Sequence, residues 1–553
     1  MFRDGGHSAI IAATDAHDDM PAQPDIAGAA KDRLQFSDAA SFQAWRERLP
    51  LANPATCHAA LAAQVRLLSG AQVAPATRLE LLDLMRGLAA TVQSEQTKKY
   101  RGKPVPLDDD DRATWEGVVA TWFSLAAAYD ALLDPAGDIP PQLAPHVARI
   151  CQRALRLTGL AMMEHSRVYR TVPASLWKQL HRLYRFAENA GVAAAPVDDP
   201  VGREHGASSC AATYAHTLLV QLAQPDALSV QQMEAVDRWL DRWEEIVDVG
   251  REAPPAGAIP LIAVDLSSDK GASIAKDAPV AALRYLHLDK LSAALRQAAV
   301  ALKQGQSAAQ LGLGSITRDA CEKLLLLLHI QWCAAGTGRA DERSPGGLVV
   351  TISPNLASIH YHMTGRAFRQ PGGEISARER QNMDMMGFIS ETTDRALVSQ
   401  RSASIETWVI VNKSASGFLG MCKDPKGATH VSHNQLLGLR NPSNNLMYLG
   451  TVQRLNVDDA GGIWVGLRLI SSAAQAVAVR NPTALGADAV KYERALLVPE
   501  DVARRVPASV LLLPGWYAGN RQLDLHADRP QKLKLLALLD TGPNFERATY
   551  SVA

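Results

Sequence analysis

The chain has 553 residues, more than one hydrophobic core usually organises, and this length predicts about three domains. Lysine plus arginine and aspartate plus glutamate each total 57, so the formal net charge is zero. This balance excludes an overall basic field that would recruit nucleic acid or an anionic membrane. Any nucleotide-binding site must therefore be built locally.

The start of the chain and its cysteines indicate a cytoplasmic protein. Residues Met1 to Ala30 mix aspartate and histidine and hold no continuous apolar h-region, so they do not predict a signal peptide. The apolar run from Leu324 to Ile330 is too short to span a bilayer, so we expect no membrane insertion. The cysteines, at positions 57, 151, 210, 321, 333 and 422, form no Cys-x-x-Cys pair and predict buried, reduced thiols.

The first half of the chain predicts a helical region behind a short tail. Residues 1–36 are rich in alanine, aspartate, glycine and proline without periodicity, which predicts a disordered tail. Residues 37–250 then predict a helical domain. Within it, the aspartates at 108–111 precede a helix that carries Trp115 and Trp122. Acidic residues at a helix N-terminus favour the helix dipole, so we prefer this explanation to a metal site.

A cap and two faces define one predicted helix of this domain. Ser229 and Gln232 form a capping-box pattern at its start. The stripe predicted to be buried comprises Met233, Val236, Leu240, Trp243 and Val247. The opposite face, predicted to be solvated, carries Asp237, Arg238, Asp241, Arg242 and Glu245. We also expect most tryptophans of the helical region to be buried in its core.

The second half changes from helical to alternating periodicity. Residues 251–338 predict a second helical segment that leads into a barrel, with helices at 281–303 and 315–332. Beyond residue 344, short runs of valine, isoleucine and leucine between glycine and proline turns predict strands. These strands cover 346–352, 357–363, 405–411, 417–422, 446–455 and 462–470. An insertion, 364–404, interrupts the pattern, and residues 501–553 predict a C-terminal β extension.

Two motifs beside these strands carry the chemistry of a candidate binding site. Arg339 and Arg343 lie just before the first predicted strand, and Asn412, Ser414 and Gly417 form a turn after a later one. Arginine can fork two donors onto a phosphate, or onto the O6 and N7 acceptors of guanine. Asparagine at a strand end can reach a guanine edge, serine bonds locally, and glycine permits close backbone approach.

In this order the two motifs resemble those of the PilZ domain family, over residues 339–480. The resemblance implies a small β-barrel, 339–500 with its insertion, that binds the bacterial second messenger cyclic di-GMP. It also implies that this ligand contacts Arg339, Arg343, Asn412, Ser414 and Gly417. The family pattern accepts either aspartate or asparagine at the position of Asn412. The 69 positions between Arg343 and Asn412 exceed the usual spacing, so the insertion must be looped out.

A metal site is the alternative chemistry that the sequence offers. His360 and His362 fall on one face of the strand predicted at 357–363, and His430 and His433 could supply further ligands. No aspartate or glutamate lies within a few residues of the first pair, so we expect both of its histidines to be structural. The chain also lacks the Gly-x-Ser-x-Gly, Walker and His-Glu-x-x-His motifs. We therefore predict no catalytic residue, bound metal or cofactor.

The sequence thus predicts a multidomain α+β protein. A large all-α N-terminal region precedes a PilZ-like antiparallel β-barrel and a C-terminal β extension. The predicted function is that of a cytoplasmic bacterial effector, not an enzyme, which relays cyclic di-GMP binding from the barrel to the helical region. The helical region would contact an unidentified protein partner and no nucleic acid. Two alternatives stay open: a ligand-free scaffold with a degenerate PilZ-like barrel, and a metal-dependent enzyme that uses the histidines.

Overall fold

The structure, a computed structural model, describes residues 33–133, 139–199, 201, 207–255, 257, 259–275, 281–334, 343–371, 406–422, 430–444, 446–484, 491–526 and 531–552. An α-helical region is followed by closed β-barrels, so the predicted α+β multidomain class is confirmed. The predicted tail, 1–36, lies largely outside the described residues. At its end, Phe36 is buried and packs edge-on against Phe42, with 5.1 Å between ring centroids, so the helical region begins before residue 37.

The helical region is built around a central helix. In the described ranges its α-helices are α1 (Ala39–Glu47), α2 (Pro54–Gly70), α3 (Pro75–Thr97), α4 (Asp109–Asp130), α5 (Val147–Arg167), α6 (Ala174–Asn189), α7 (Cys210–Leu222) and α8 (Val230–Trp243). A two-stranded ribbon, β1 (Val197–Asp198) with β2 (Ala207–Ser208), lies between α6 and α7. Helix α5 is the centre because it packs against α4, α6 and α7, and it is buried on most of its surface.

The predicted helix starts are confirmed by their capping hydrogen bonds. At α4 the Asp108 carboxylate accepts a hydrogen bond from the N–H of Asp111, which is the role of an N-cap. At α8 the Ser229 hydroxyl accepts from the N–H of Gln232, and the Gln232 side chain accepts from the N–H of Ser229. The tryptophans predicted to lie in the core are buried: Trp115, Trp122, Trp177, Trp239, Trp243 and Trp332.

A small sheet precedes two helices in residues 248–333, which corrects the prediction of a helical segment at 251–338. Strands β3 (Asp248–Gly250), β4 (Ile262–Asp265), β5 (Ser273–Ile274) and β6 (Leu283–His287) have the order β3-β6-β4-β5, and helices α9 (Asp289–Lys303) and α10 (Arg318–Cys333) follow. The helix predicted from residue 281 is wrong in its first turns because β6 pairs with β3 on one side and β4 on the other. No helix in the described part of the chain combines the length and apolar content needed to cross a membrane.

Six antiparallel strands close the first barrel. They are β7 (Ser344–Ser353), β8 (Glu406–Lys413), β9 (Gly417–Cys422), β10 (Leu436–Arg440), β11 (Met447–Val457) and β12 (Ile463–Ser471). Around the barrel the order is β7-β8-β9-β12-β11-β10, and β10 pairs back with β7. Closure therefore gives every strand two neighbours, although β10 pairs with only the last three residues of β7.

The C-terminal residues close a second six-stranded barrel, which corrects two predicted boundaries. Its strands are β13 (Gln475–Arg480), β14 (Glu493–Val498), β15 (Ser509–Leu512), β16 (Gln522–His526), β17 (Gln531–Gly542) and β18 (Phe545–Val552). The first barrel ends at Ser471 instead of residue 500, and 501–553 belongs to a barrel instead of an extension. A division at residue 500 would separate β13 from its partner β16 and β14 from its partner β15, leaving unpaired edges on both sides.

A short helix, α11 (Leu356–Thr364), replaces the strand predicted at 357–363. The Asn355 side chain accepts a hydrogen bond from the N–H of Ser358 at its start, and Gly365 ends it with a φ of +67°. The N-cap and the glycine stop favour a helix more strongly than the short alternation of apolar residues favours a strand. Helix α11 packs against β7 and β10 of the first barrel and against β13 and β14 of the second, so it fills the space between them.

The two barrels are held together by an apolar core and one asparagine. Phe545, at the start of β18, is buried in a cluster with residues of α11 and of both barrels. Beside it, the Asn544 amide donates to the carbonyl oxygens of Pro354 and Leu436, and its Oδ1 accepts from the N–H of Leu436. The β17–β18 turn thereby satisfies backbone groups of the first barrel, so the barrels form a docked pair.

Replacing Phe545 with alanine is predicted to lower the free energy of unfolding by about 3–5 kcal/mol, because it opens a cavity in the core shared by the barrels. Urea unfolding followed by circular dichroism measures this loss. Leu536→Ala in the same barrel is the control: its side chain is 45% exposed, and the change should stay within about 0.5 kcal/mol. Equal losses in the two variants would contradict the shared core.

Candidate functional site

Strand pairing brings the first sequence motif to the second. In the antiparallel pair of β7 and β8, Ser344 lies opposite Lys413 and Pro345 lies opposite Asn412. Arg343, directly before β7, donates from Nη1 to Oδ1 of Asn412 at 3.0 Å. The 69 positions between the two residues do not prevent this contact, because the intervening chain leaves and re-enters the barrel at the far ends of both strands.

The turn from β8 to β9 holds the second motif in a tight conformation. The N–H of Ser414 donates to the carbonyl oxygen of Gly417 at 2.8 Å, and the Ser414 hydroxyl lies 3.4 Å from that of Ser416. Gly417 is so close to β12 that a Cβ there would come within 2.1 Å of the Leu467 carbonyl oxygen. Only glycine fits this close approach, so bare backbone lies beside Ser414.

The structure therefore brings together four of the five predicted site residues: Arg343, Asn412, Ser414 and Gly417. The fifth, Arg339, lies outside the described residues, as does most of the predicted insertion, 364–404. Convergence of the four on one end of the barrel agrees with the order of the sequence motifs. That these side chains contact a ligand stays a prediction.

Sequence reasoning missed two glycines that shape this end of the barrel. A Cβ on Gly346 would come within 2.0 Å of the Ile410 carbonyl oxygen, and Gly347 has a φ of +104°. The β7–β8 register shifts at this pair, which marks a β-bulge. A bulge bends its strand, and here the bent end carries Arg343. The signal in the sequence was the Gly-Gly pair at the start of a β run.

A third strand adds another cation that the motifs did not indicate. Arg468 of β12 lies opposite Gly417 in the β9–β12 pairing, and its side chain is 49% exposed. Lys413, beside Asn412 on β8, is also exposed. Guanidinium groups keep their charge at any ordinary pH and can fork onto phosphate. This end of the barrel therefore carries three cationic side chains, those of Arg343, Lys413 and Arg468.

The first histidine pair lies on a helix, so the metal geometry inferred from strand alternation is wrong. His360 and His362 belong to α11. The His360 ring packs edge-on against Phe368 at 5.4 Å between centroids, and Nδ1 of His362 lies 2.6 Å from the Ser353 hydroxyl. Burial lowers the pKa of both imidazoles, which favours their neutral form. These contacts are those of packed structural side chains.

Within the described residues, one buried group has the composition of a metal site. His216 of α7, Asp241 of α8 and Glu244 place their potential ligand atoms within 4.8 Å of one another. However, Nδ1 of His216 lies 2.9 Å from Glu244, and Nε2 lies 2.8 Å from Asp237. Both ring nitrogens thus face carboxylates, as in an imidazolium. The predicted solvated face of α8 is wrong for Asp237 and Asp241, which face this cluster.

The surroundings of His216 favour its charged form. Burial lowers the pKa of His216, and the charge of Arg156 lowers it further. Hydrogen bonds with Asp237 and Glu244, together with the charge of Asp237, outweigh both effects, so the net pKa is raised. Burial raises the pKa of Asp237, but the hydrogen bond and charge of His216, together with the charges of Arg156 and Arg167, outweigh it, so the net pKa is lowered. A histidine pKa raised in the folded state stabilises the fold below the unfolded-state pKa. That contribution is lost as the pH rises through the folded-state pKa.

The stability difference between the wild type and His216→Gln is therefore expected to be largest below about pH 6.5 and to shrink as the pH rises. Urea unfolding at constant ionic strength, repeated over a pH series, measures it. His362→Gln is the matched control with the opposite sign: burial lowers the pKa of His362, so its stability difference should grow as the pH rises. A His216 difference independent of pH would contradict the imidazolium assignment.

The fold and the candidate site define the class of protein. It is a multidomain α+β protein in which a helical region is joined to tandem β-barrels, with cationic side chains at one end of the first barrel. Residues 40–253 match the family model described as "Cyclic-di-GMP receptor FimW, N-terminal domain". Residues 477–553, which span nearly all of the second barrel, match the "FimW C-terminal beta-barrel domain". A relative from Pseudomonas aeruginosa, "Cyclic-di-GMP receptor FimW", is 22% identical over 564 aligned positions, covering 94% of this chain and 92% of the relative. The chain is thus similar to FimW along nearly its whole length.

Proposed function

We propose that this chain is a cytoplasmic bacterial effector, without enzymatic activity, that binds cyclic di-GMP on a PilZ-like first barrel. The observation that carries the proposal is the hydrogen bond between Arg343 and Asn412. It joins two motifs that are 69 positions apart in the sequence at one end of one barrel. The similarity to a protein named a cyclic-di-GMP receptor supports the same ligand.

The chemistry of the site matches that of a cyclic dinucleotide, which offers two phosphates and two guanine edges. Arg343 supplies a fork for a phosphate or for guanine O6 and N7. Asn412 and Ser414 supply neutral donors and acceptors, and Gly417 allows the ligand to approach the backbone. Arg339, four positions before Arg343, supplies the second arginine. Binding of this kind requires no cofactor or metal.

Arg343→Ala is predicted to weaken cyclic di-GMP binding by roughly tenfold to a hundredfold, because one charge-assisted contact to an anion is worth about 1.5–3 kcal/mol. Isothermal titration calorimetry on the purified full-length chain measures the change. Arg480→Ala is the matched control: Arg480 is a partly exposed arginine, ion-paired with Asp524 in the second barrel, and its loss should leave the affinity unchanged.

Two results would contradict the proposed function. If the wild-type chain shows no binding at saturating cyclic di-GMP, the hypothesis of a ligand-free scaffold explains the barrel better. If the wild type binds but Arg343→Ala binds equally well, the ligand occupies another surface. Because binding is measured directly, neither result depends on knowing the protein partner.

The proposed relay runs from the first barrel into the helical region through a hydrogen-bonded side chain. Arg454 of β11 donates to Oε1 of Gln224 and lies 3.3 Å from Asp226. The Gln224 amide donates in turn to Oε1 of Gln331 on α10 at 2.6 Å. Gln224 also has a φ of +57°, a conformation that non-glycine residues rarely adopt. This residue therefore links the barrel to α10, and the helical region is the proposed surface for a protein partner.

Cyclic di-GMP is expected to slow amide hydrogen exchange at residues 333–345 and in α10, because the barrel and α10 are connected through Gln224. Exchange measured by mass spectrometry, with and without ligand, tests this. In Gln224→Ala the protection should stay on the barrel and disappear from α10, while the affinity for cyclic di-GMP is kept. Protection confined to the barrel in the wild type would contradict the relay and leave the binding proposal in place.

A further inference from the structure

Arg468 lies on the same face of the first barrel as the candidate site. Asn412 pairs with Leu419 of β9, and two residues along β9 Gly417 pairs with Arg468 of β12. Two strand spacings and two residues along the strand separate the Cα atoms of Asn412 and Arg468 by roughly 12 Å. No side chain stands between them at Gly417, because this position is glycine. Arg468 therefore faces the same bare turn as Asn412.

Arg468 is held by the second barrel. Its Nη2 donates to Oδ1 of Asp540 on β17 at 2.9 Å, and both side chains are partly exposed, at 49% and 25%. Exposed ion pairs of this kind contribute little to stability. The guanidinium can therefore leave this carboxylate at small cost when a stronger anion is offered.

Asp540 does not lose its charge partner when Arg468 leaves. Nη1 of Arg547, on β18, lies 3.3 Å from Oδ2 of Asp540, and Nε of Arg547 donates to the Ser509 hydroxyl at 2.9 Å. Burial lowers the pKa of Arg547 more than Asp540 raises it. One carboxylate thus serves two arginines: a buried one, fixed in the second barrel, and a half-exposed one at the edge of the site.

We infer that Arg468 is a further ligand-binding residue of the cyclic di-GMP site, and that a ligand phosphate replaces Asp540 as its partner. The inference rests on the proposed function. The inference also links the site to the second barrel. Before binding, Asp540 is shared by Arg468 and Arg547; after Arg468 moves to the ligand, Asp540 is paired with Arg547 alone. The exchange is a movement of one guanidinium between two anions and involves no bond making.

The exchange predicts opposite effects for the two partners. Arg468→Ala should weaken cyclic di-GMP binding about tenfold, because a charged contact to phosphate is lost. Asp540→Asn should strengthen binding several-fold, because the ligand no longer competes with a carboxylate for Arg468. The amide keeps the shape of Asp540 and can still accept from Arg547. Arg468→Lys, which keeps the charge and loses the fork, should fall between the wild type and Arg468→Ala.

The matched control is another Arg–Asp pair of the second barrel, Arg480 with Asp524 at 2.6 Å. Arg480→Ala and Asp524→Asn should leave the affinity unchanged. Calorimetry on full-length variants, each checked for an unchanged circular dichroism spectrum, gives the affinities. If Asp540→Asn is unfolded, the comparison of Arg468→Lys with Arg468→Ala decides alone.

Three outcomes overturn the inference. If the wild type binds while Arg468→Ala and Asp540→Asn both bind as the wild type does, Arg468 is outside the site and the proposed function still stands. If both variants bind more weakly, the pair is structural and no exchange occurs. If the wild type binds no cyclic di-GMP, the proposed function and the inference fail together. Opposite changes in the two variants, with unchanged controls, support the inference.

Discussion

The antiparallel pairing of β7 with β8 is the interaction on which the candidate site depends. It closes one side of the first barrel and places Arg343 beside Asn412. The pairing tolerates a long connection because the chain between the strands leaves from their far ends. The entropy of closing such a loop grows slowly, by about 0.6 kcal/mol for each doubling of length. The number of residues between Arg343 and Asn412 therefore does not indicate how far apart they lie, whereas the register of β7 and β8 does.

The charges of this protein act locally, in groups that the net charge does not reveal. The zero net charge includes cationic side chains beside the β8–β9 turn, a carboxylate shared between Arg468 and Arg547, and a buried imidazole between carboxylates. Each of these arrangements joins side chains from more than one helix or strand. Burial makes the internal group, around His216, sensitive to protonation, whereas the exposed groups are screened and can exchange partners.

Sequence reasoning succeeded where the signal was local. The caps at Asp108 and Ser229 depend on neighbouring residues, and burial of the tryptophans was predicted from their helical spacing; both predictions are confirmed. It failed where a distant partner decided the structure. Strand β6 is extended because it pairs on both sides, and the solvated face of α8 turned inward at Asp237 because His216 of another helix meets it. The second barrel was missed for the same reason, since closure requires pairings such as β13 with β16 that no local pattern reveals.

A receptor differs from a ligand-free scaffold in having surface contacts that a ligand can replace without destabilising the barrel. Gly346 and Gly417 are explained by close packing of strands alone, so they fit either kind of protein. The bond from Arg343 to Asn412 and the pair of Arg468 with Asp540 are different, because they join exposed groups and stabilise the fold little. Both arginines can therefore exchange a weak partner for a doubly charged ligand at small cost to the barrel. A rigid frame that carries weakly held cations at one end has the properties expected of a receptor for a cyclic dinucleotide.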